Sequence, residues 1–147
     1  MPFERPTDNA IVGIYKSGNY CVTRDLHVRM DLAHHRPEYR IILISASNVT
    51  LDLQGYTLGR GRIFRNPGDS GIEIFESVEN VVIKNGTLRD FDEAIYRPVS
   101  GQGLGKHVVT PEYEASSNTY RIAKANITVQ NIVFERNRLN FHIQQKN

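Results

Sequence analysis

The sequence predicts an all-β chain built from stacked repeats, and three observations support this prediction. Val, Ile and Thr together supply 34 of the 147 residues, whereas Ala and Leu supply only 7 and 9. This composition favours strands, because β-branched side chains fit a pleated surface and have lower helix propensity. The chain also contains 12 Asn and 11 Gly, which are typical of many corners and turns. The third observation is an internal repeat.

The repeat consists of three segments that begin at Asn48, Asn80 and Asn126. Each continues with alternating branched residues, as in a strand that is buried on one face. In the second and third segments a further asparagine, Asn85 or Asn131, marks a corner, because Asn tolerates left-handed backbone angles. The leading asparagines are spaced 32 and 46 residues apart, so we expect the excess residues to form loops that leave the stacked body.

A further strand is predicted in each unit at 71–75, 94–96 or 140–143. The order is therefore strand, corner, strand, turn, strand. No single unit buries its apolar face, but stacked units do, with parallel strands about 4.8 Å apart. We expect columns of inward branched residues and a hydrogen-bonded ladder between Asn85 and Asn131.

Three stretches, 18–26, 48–58 and 77–88, resemble the opening coils of right-handed parallel β-helix proteins, the pectate-lyase-like superfamily. The resemblance extends over about residues 18–96 and 122–143. It implies a short right-handed parallel β-helix (a solenoid) of about five coils. The superfamily includes lyases, hydrolases, epimerases and non-catalytic proteins, so the resemblance predicts the fold and leaves the function open.

The predicted organisation is a single β-helix domain over residues 1–147. Residues 1–17 are expected to form an N-terminal cap, as a short helix or a strand. Residues 97–121 are expected to form a long inserted loop with an extra strand at 106–110. The C-terminal end is short and polar, from Gln144 to Asn147, so either this finish is a sufficient cap or another chain, in an oligomer, covers the end.

Composition excludes several classes of protein. The single cysteine, Cys21, excludes an intramolecular disulfide scaffold, and the longest apolar run, Ile41–Ile44, is too short to span a membrane. A net charge of +2 does not indicate nucleic-acid binding.

The start of the sequence is charged and contains prolines, which is not typical of a signal peptide, so we expect a cytoplasmic protein. The glycine-rich segment 101–107 departs from the phosphate-binding loop pattern, and no cofactor is predicted.

Glu73, Tyr96 and His142 are predicted to share one outward column. A carboxylate, a phenol and an imidazole side by side are suited to acid–base chemistry, so these are the catalytic candidates if the protein is an enzyme. Outward polar residues are more commonly just solvated, and we favour that interpretation.

The acidic residues Asp90, Asp92 and Glu93 form a second cluster at a turn. Oxygen ligands of this kind can hold Ca²⁺, but a solvated turn is the favoured interpretation, and no metal is predicted.

The favoured hypothesis is a non-catalytic protein that binds another protein, as an inhibitor or toxin-immunity protein does. Its support is the short body, the long insertion and charge banding: residues 1–65, 66–93 and 94–147 carry net charges of +3, −5 and +4. The candidate partner-binding residues are Arg60, Arg62, Arg65, Arg97, Lys106, His107 and Tyr113.

The alternative is a polysaccharide-binding or polysaccharide-cleaving protein. It predicts aromatic residues and carboxylates on one face. The first suspects are Glu73, Tyr96, Tyr113, Tyr120 and His142.

Overall fold

The structure is a computed structural model that describes residues 10–27, 40–59, 69–100 and 106–146. These residues form β-strands and one short 3₁₀ turn at Ala115–Ser117, without an α-helix. The protein is therefore all-β, as predicted. In chain order the strands are β1 (Ala10–Ile14), β2 (Gly18–Cys21), β3 (Leu26–His27), β4 (Arg40–Ile44), β5 (Val49–Asp52), β6 (Thr57–Gly59), β7 (Ser70–Ile74), β8 (Val81–Arg89), β9 (Glu93–Arg97), β10 (Lys106–Val109), β11 (Glu112–Glu114), β12 (Thr119–Ile122), β13 (Ile127–Glu135) and β14 (Leu139–Lys146).

The strands form two mixed, mainly parallel sheets. The first sheet has the order β1-β4-β7-β9-β14-β10 and is parallel except between β14 and β10. The second sheet has the order β11-β12-β13-β8-β5-β2, with β3 and β6 joined beside it, and only its β11, β12 and β13 neighbours are antiparallel. Strands that pair in parallel are thus far apart in sequence, whereas β11, β12 and β13 are consecutive in the chain.

The register aligns branched side chains into buried columns. Val49 pairs with Val81, and Val81 pairs with Ile127; these side chains are at most 1% exposed. Ile72 and Ile95 form the equivalent pair in the first sheet and are fully buried. Burying such a side chain contributes about 1.5–3 kcal/mol, so the columns are the main source of stability.

Asparagine ladders connect successive units. Asn131 Nδ2 donates to Asn85 Oδ1 at 2.9 Å, which confirms the predicted ladder. A second ladder joins the leading asparagines, since Asn80 donates to Asn48 at 3.0 Å and Asn126 donates to Asn80 at 2.8 Å. All five residues have positive φ, between 52° and 63°. Asn is suited to these positions because it adopts the left-handed conformation at low cost.

Gly86 follows the corner Asn85 and lies inside β8, which pairs in parallel with both of its neighbours. The Asn85–Gly86 pair is therefore not a hairpin turn. A Cβ at Gly86 would lie 2.5 Å from Leu53 Cβ and 2.7 Å from the carbonyl oxygen of Tyr56. The first repeat is two residues longer here, and its turn, closed by Tyr56 N–H donating to Leu53 O, fills this space. Ile132 takes the same register position in β13.

The predicted N-terminal cap is described only from residue 10. Ala10–Ile14 forms β1, which pairs in parallel with β4, and Ile14 is fully buried. This segment continues the first sheet as a regular strand, so the helix alternative is wrong for these residues.

The predicted insertion 97–121 returns to the body. Its strand β10 matches the predicted extra strand and pairs antiparallel with Ile143–Lys146 of β14. Its strand β12 pairs antiparallel with Ile127–Gln130 of β13. For the described part of the insertion, the expectation of a loop that leaves the body is wrong, because its backbone groups pair with the last strands of both sheets.

Candidate functional site

The structure places the three predicted catalytic candidates side by side in the first sheet. Glu73 on β7 is opposite Tyr96 on β9, and Tyr96 is opposite His142 on β14. Their different environments, however, decide what each group can do chemically.

Glu73 is buried, with 6% of its surface exposed. The Arg40 guanidinium lies 3.1 Å from Glu73 Oε1, and Arg40 Nη2 donates to Oε2 at 3.3 Å. The expectation that this outward column is simply solvated is therefore wrong at Glu73. Arg40 contacts both carboxylate oxygens, so Glu73 is engaged within the protein.

His142 lies between an aromatic ring and a carboxylate. Its ring centroid is 5.2 Å from that of Tyr96, and its Nδ1 is 3.0 Å from Glu93 Oε1. Gln144 Nε2 lies 3.4 Å from the other ring nitrogen. Glu93 is buried and also contacts Arg138 at 3.5 Å. The carboxylate and the imidazole are close neighbours, an arrangement that can support proton transfer.

The acidic turn forms ion pairs with the next unit along the sheet. Arg136 Nε donates to Asp90 Oδ1 at 2.8 Å, and Arg138 Nη2 donates to Asp92 Oδ2 at 3.2 Å. These hydrogen bonds raise the pKa of both arginines. Because these carboxylates are paired with arginines, they are neither simply solvated, as was expected for the turn, nor arranged as ligands of Ca²⁺. Within the described ranges, no three Asp, Glu, His or Cys side chains are arranged to hold a metal ion.

Arg97 is 7% exposed, and its guanidinium is directed inward. It donates to the carbonyl oxygens of Glu76 at 2.5 Å and Gln144 at 3.3 Å. Desolvation by burial lowers the pKa of Arg97, although the nearby carboxylates of Glu76 and Glu79 act in the opposite direction. Its side chain joins two segments of the chain rather than forming an exposed contact.

The remaining predicted partner-binding residues lie in or near the insertion or outside the described residues. Tyr113 on β11 is 52% exposed, and His107 on β10 is also exposed. Lys106 begins β10, but its side chain is outside the described set. Arg60, Arg62 and Arg65 also lie outside the described residues.

Four aromatic rings pack together beside the last strands of both sheets. Tyr120 is central: its ring centroid is 4.4 Å from Tyr113, 4.7 Å from Phe141 and 5.8 Å from Phe134. Phe134 pairs with the buried Leu88, so the rings continue the core columns toward the surface. Partial burial raises the pKa of Tyr120, which stays a neutral phenol. We call this group the aromatic end.

Open strand edges flank the aromatic end. Because β12 and β10 pair only with Ile127–Gln130 and Ile143–Lys146, no described strand pairs with the outer edge of 133–135 or 139–142. Val133 and Leu139 in these segments are 49% and 36% exposed. Asn118 Nδ2 donates to the carbonyl oxygen of Ile132 and ends the covered part of β13. We call residues 133–142 the open edge.

Comparison with protein-family models, curated proteins and solved structures finds no match. Within the described ranges, no helix has the length and apolar character needed to cross a bilayer.

Sequence reasoning missed the aromatic end and the two arginine–aspartate pairs. The pairs had a usable signal: Arg136 and Arg138 follow Asp90 and Asp92 at the same 46-residue offset as the asparagine ladder. The aromatic end had a weaker signal. Phe134 and Phe141 lay in recognised repeat positions, but no repeat placed Tyr113 and Tyr120 beside them.

Proposed function

We propose that the chain is a short right-handed parallel β-helix of about five coils, similar to pectate-lyase-like proteins. Five parallel strands, β1, β4, β7, β9 and β14, form successive steps of the first sheet, which supports five coils. Further support comes from the asparagine ladders, which link equivalent positions at offsets of 32 and 46 residues.

We also propose that this β-helix is a protein-binding module, acting as an inhibitor or immunity protein does, by covering a surface of its partner. The aromatic end next to the open edge carries this proposal. Aromatic rings are favoured at the centres of protein interfaces, and unpaired strand edges add main-chain hydrogen bonds. The insertion builds part of this surface, and it presents Tyr113 and His107 beside it.

Carboxylates of the first sheet are engaged within the chain. Glu73 is paired with Arg40, and Asp92 is paired with Arg138. A polar face whose charges are already compensated supports stability and specificity rather than turnover.

Site-specific photocrosslinking tests the binding proposal. A benzophenone amino acid is placed at Val133, or at Cys21 as a control that is also exposed but lies on β2, three strands away from β13 in the second sheet. We expect a discrete polypeptide adduct from the Val133 position alone, and its loss when Tyr113→Lys is added. Equal adducts at both positions, or none at Val133, would contradict the proposal.

A second candidate function is action on a polysaccharide. It is favoured by one observation, the imidazole of His142 held between Tyr96 and Glu93 on an outward face. The test is incubation with polygalacturonate and Ca²⁺ while unsaturated product is followed by absorbance. Turnover that is lost in His142→Ala and in Glu73→Gln would favour the enzyme over the binding module.

A further inference from the structure

The structure points to the kind of partner that the open edge takes. We propose that it binds an extended acidic strand of another protein, which adds to the edge of 133–142 with apolar residues over Phe134 and Phe141 and carboxylates beside Arg136 and Arg138. This inference rests on the proposed protein-binding function and specifies its ligand.

The chain itself shows what a strand on this edge looks like. Residues 86–96 run parallel to 132–142 on the opposite edge of the same strands. Leu88 is opposite Phe134, and Ile95 is opposite Phe141. The stacking of β-strands repeats these spacings, so a strand on the open edge would meet the two phenylalanines in the same way.

Phe134 and Phe141 are inward-facing core positions that remain partly exposed. Leu88 and Ile95, the same positions one unit earlier, are fully buried. In the later unit this edge is unpaired, and Tyr120 packs against both rings without burying them fully. Added apolar side chains would complete the burial of these rings, which contributes about 25 cal/mol per Å² of apolar surface.

The charged residues near the open edge indicate that the partner segment is acidic. Arg136 and Arg138 are 65% and 53% exposed, and each is bound on one side by an aspartate of the preceding unit. If negative and positive side chains alternate from one unit to the next, a strand added on the open edge would place carboxylates on the other side of these two arginines. Residues 94–147 carry seven Lys or Arg and three Asp or Glu, a net charge of +4. This charge disfavours a second copy of the same end and favours an acidic segment.

The test uses a probe copied from the chain, a fluorescent peptide of residues 86–96. The net charge of this peptide is −2, and it contains Asp90 and Asp92. Fluorescence anisotropy with the full chain is expected to show saturable binding. A peptide with Asp90→Asn and Asp92→Asn should bind about tenfold more weakly, equivalent to about 1.4 kcal/mol.

A charge-exchange experiment tests whether Arg138 of the protein contacts Asp92 of the bound peptide. Arg138→Glu in the protein should weaken binding of the native peptide about tenfold or more, and an Asp92→Arg peptide should recover binding to that variant. Arg24→Glu, the same charge change on an exposed residue near β2, should leave binding unchanged. Circular dichroism shows whether each variant is folded, and Val133→Lys, which leaves the ion pairs intact, gives a second independent loss of binding.

The outcomes separate the two proposals. Saturable binding that depends on the peptide aspartates and is restored by charge exchange supports the acidic strand. Absence of peptide binding, or binding that is indifferent to charge, overturns it, whereas a Val133 crosslink in the same protein would keep the protein-binding proposal. A mass in light scattering that doubles with concentration, and returns to the monomer in Val133→Lys, would identify a second copy as the occupant and overturn the acidic strand.

Discussion

Replacing Gly86 by alanine tests how the long first repeat packs against the second. The added Cβ would lie 2.5 Å from Leu53 Cβ and 2.7 Å from both Leu53 Cδ1 and the Tyr56 carbonyl oxygen. Real Cβ atoms do not approach this closely, and a backbone carbonyl cannot rotate away as a flexible side chain does. Overpacking of this kind costs about 1–3 kcal/mol.

We therefore expect Gly86→Ala to lower the free energy of unfolding by about 1–3 kcal/mol, measured by urea denaturation followed by circular dichroism. For a domain of this size, each kcal/mol corresponds to a fall in melting temperature of about 2–4 °C. The matched control is Gly59→Ala, because a Cβ at Gly59 meets its nearest atoms at 3.4 Å, an ordinary contact.

A double-mutant cycle identifies the atom responsible. Leu53→Ala removes Leu53 Cδ1 but keeps Leu53 Cβ and the Tyr56 carbonyl oxygen. If Cδ1 is the atom that resists the new methyl group, the two substitutions together should cost less than the sum of the single changes by about 0.5–3 kcal/mol. Equal stability of the Gly86 and Gly59 variants would refute the packing argument. Strict additivity with Leu53→Ala would show that the clash is with Leu53 Cβ or the Tyr56 carbonyl oxygen, which both remain in that variant.

Three further predictions concern a ladder, a buried cation and an exposed carboxylate. Asn80→Ala should be less stable than Asn80→Gly by about 1 kcal/mol in urea denaturation, since both lose the ladder bonds but only alanine is strained at a φ of 60°. Arg97→Ala should cost about 1–3 kcal/mol by leaving buried carbonyl oxygens without a donor, whereas the exposed Arg24→Ala should change the melting temperature little. Hydrogen bonding from Arg121 lowers the pKa of Glu114, so this contact stabilises the fold above the ordinary glutamate pKa and is lost as the pH falls through the lowered value. An NMR titration should find the Glu114 carboxyl below its usual range, and Arg121→Met should return it toward that range; an unchanged titration would contradict this.

Much of the fold could be predicted because the repeat is local. The alternation around Val81 and Ile83, and the corner at Asn85, are visible within a few residues, and strand geometry converts them into a buried face and a ladder. The insertion could not be placed in this way. The antiparallel pairing of β10 depends on the free edge of the distant strand β14, and no local pattern shows that this edge is free.

The candidate site shows the same limit. Period-two alternation brought Glu73, Tyr96 and His142 to one column, but it could not show that Glu73 is buried beside Arg40. That contact joins residues 33 positions apart and does not follow the repeat template. A side chain's exposure depends on what covers its face, and this cover comes from outside its own strand.

The unequal spacing of the units has a consequence for how such a chain changes over evolutionary time. Asparagine contacts of the same kind form between residues 32 and 46 positions apart, so the stacked frame is insensitive to the length of its connectors. Residues can enter or leave a connector without moving any buried side chain, since loop closure costs rise only slowly with length. In this chain the longer connector, between the second and third units, contains the strands beside the aromatic end. The surface that the connectors form can therefore diversify while the frame that holds them is inherited unchanged.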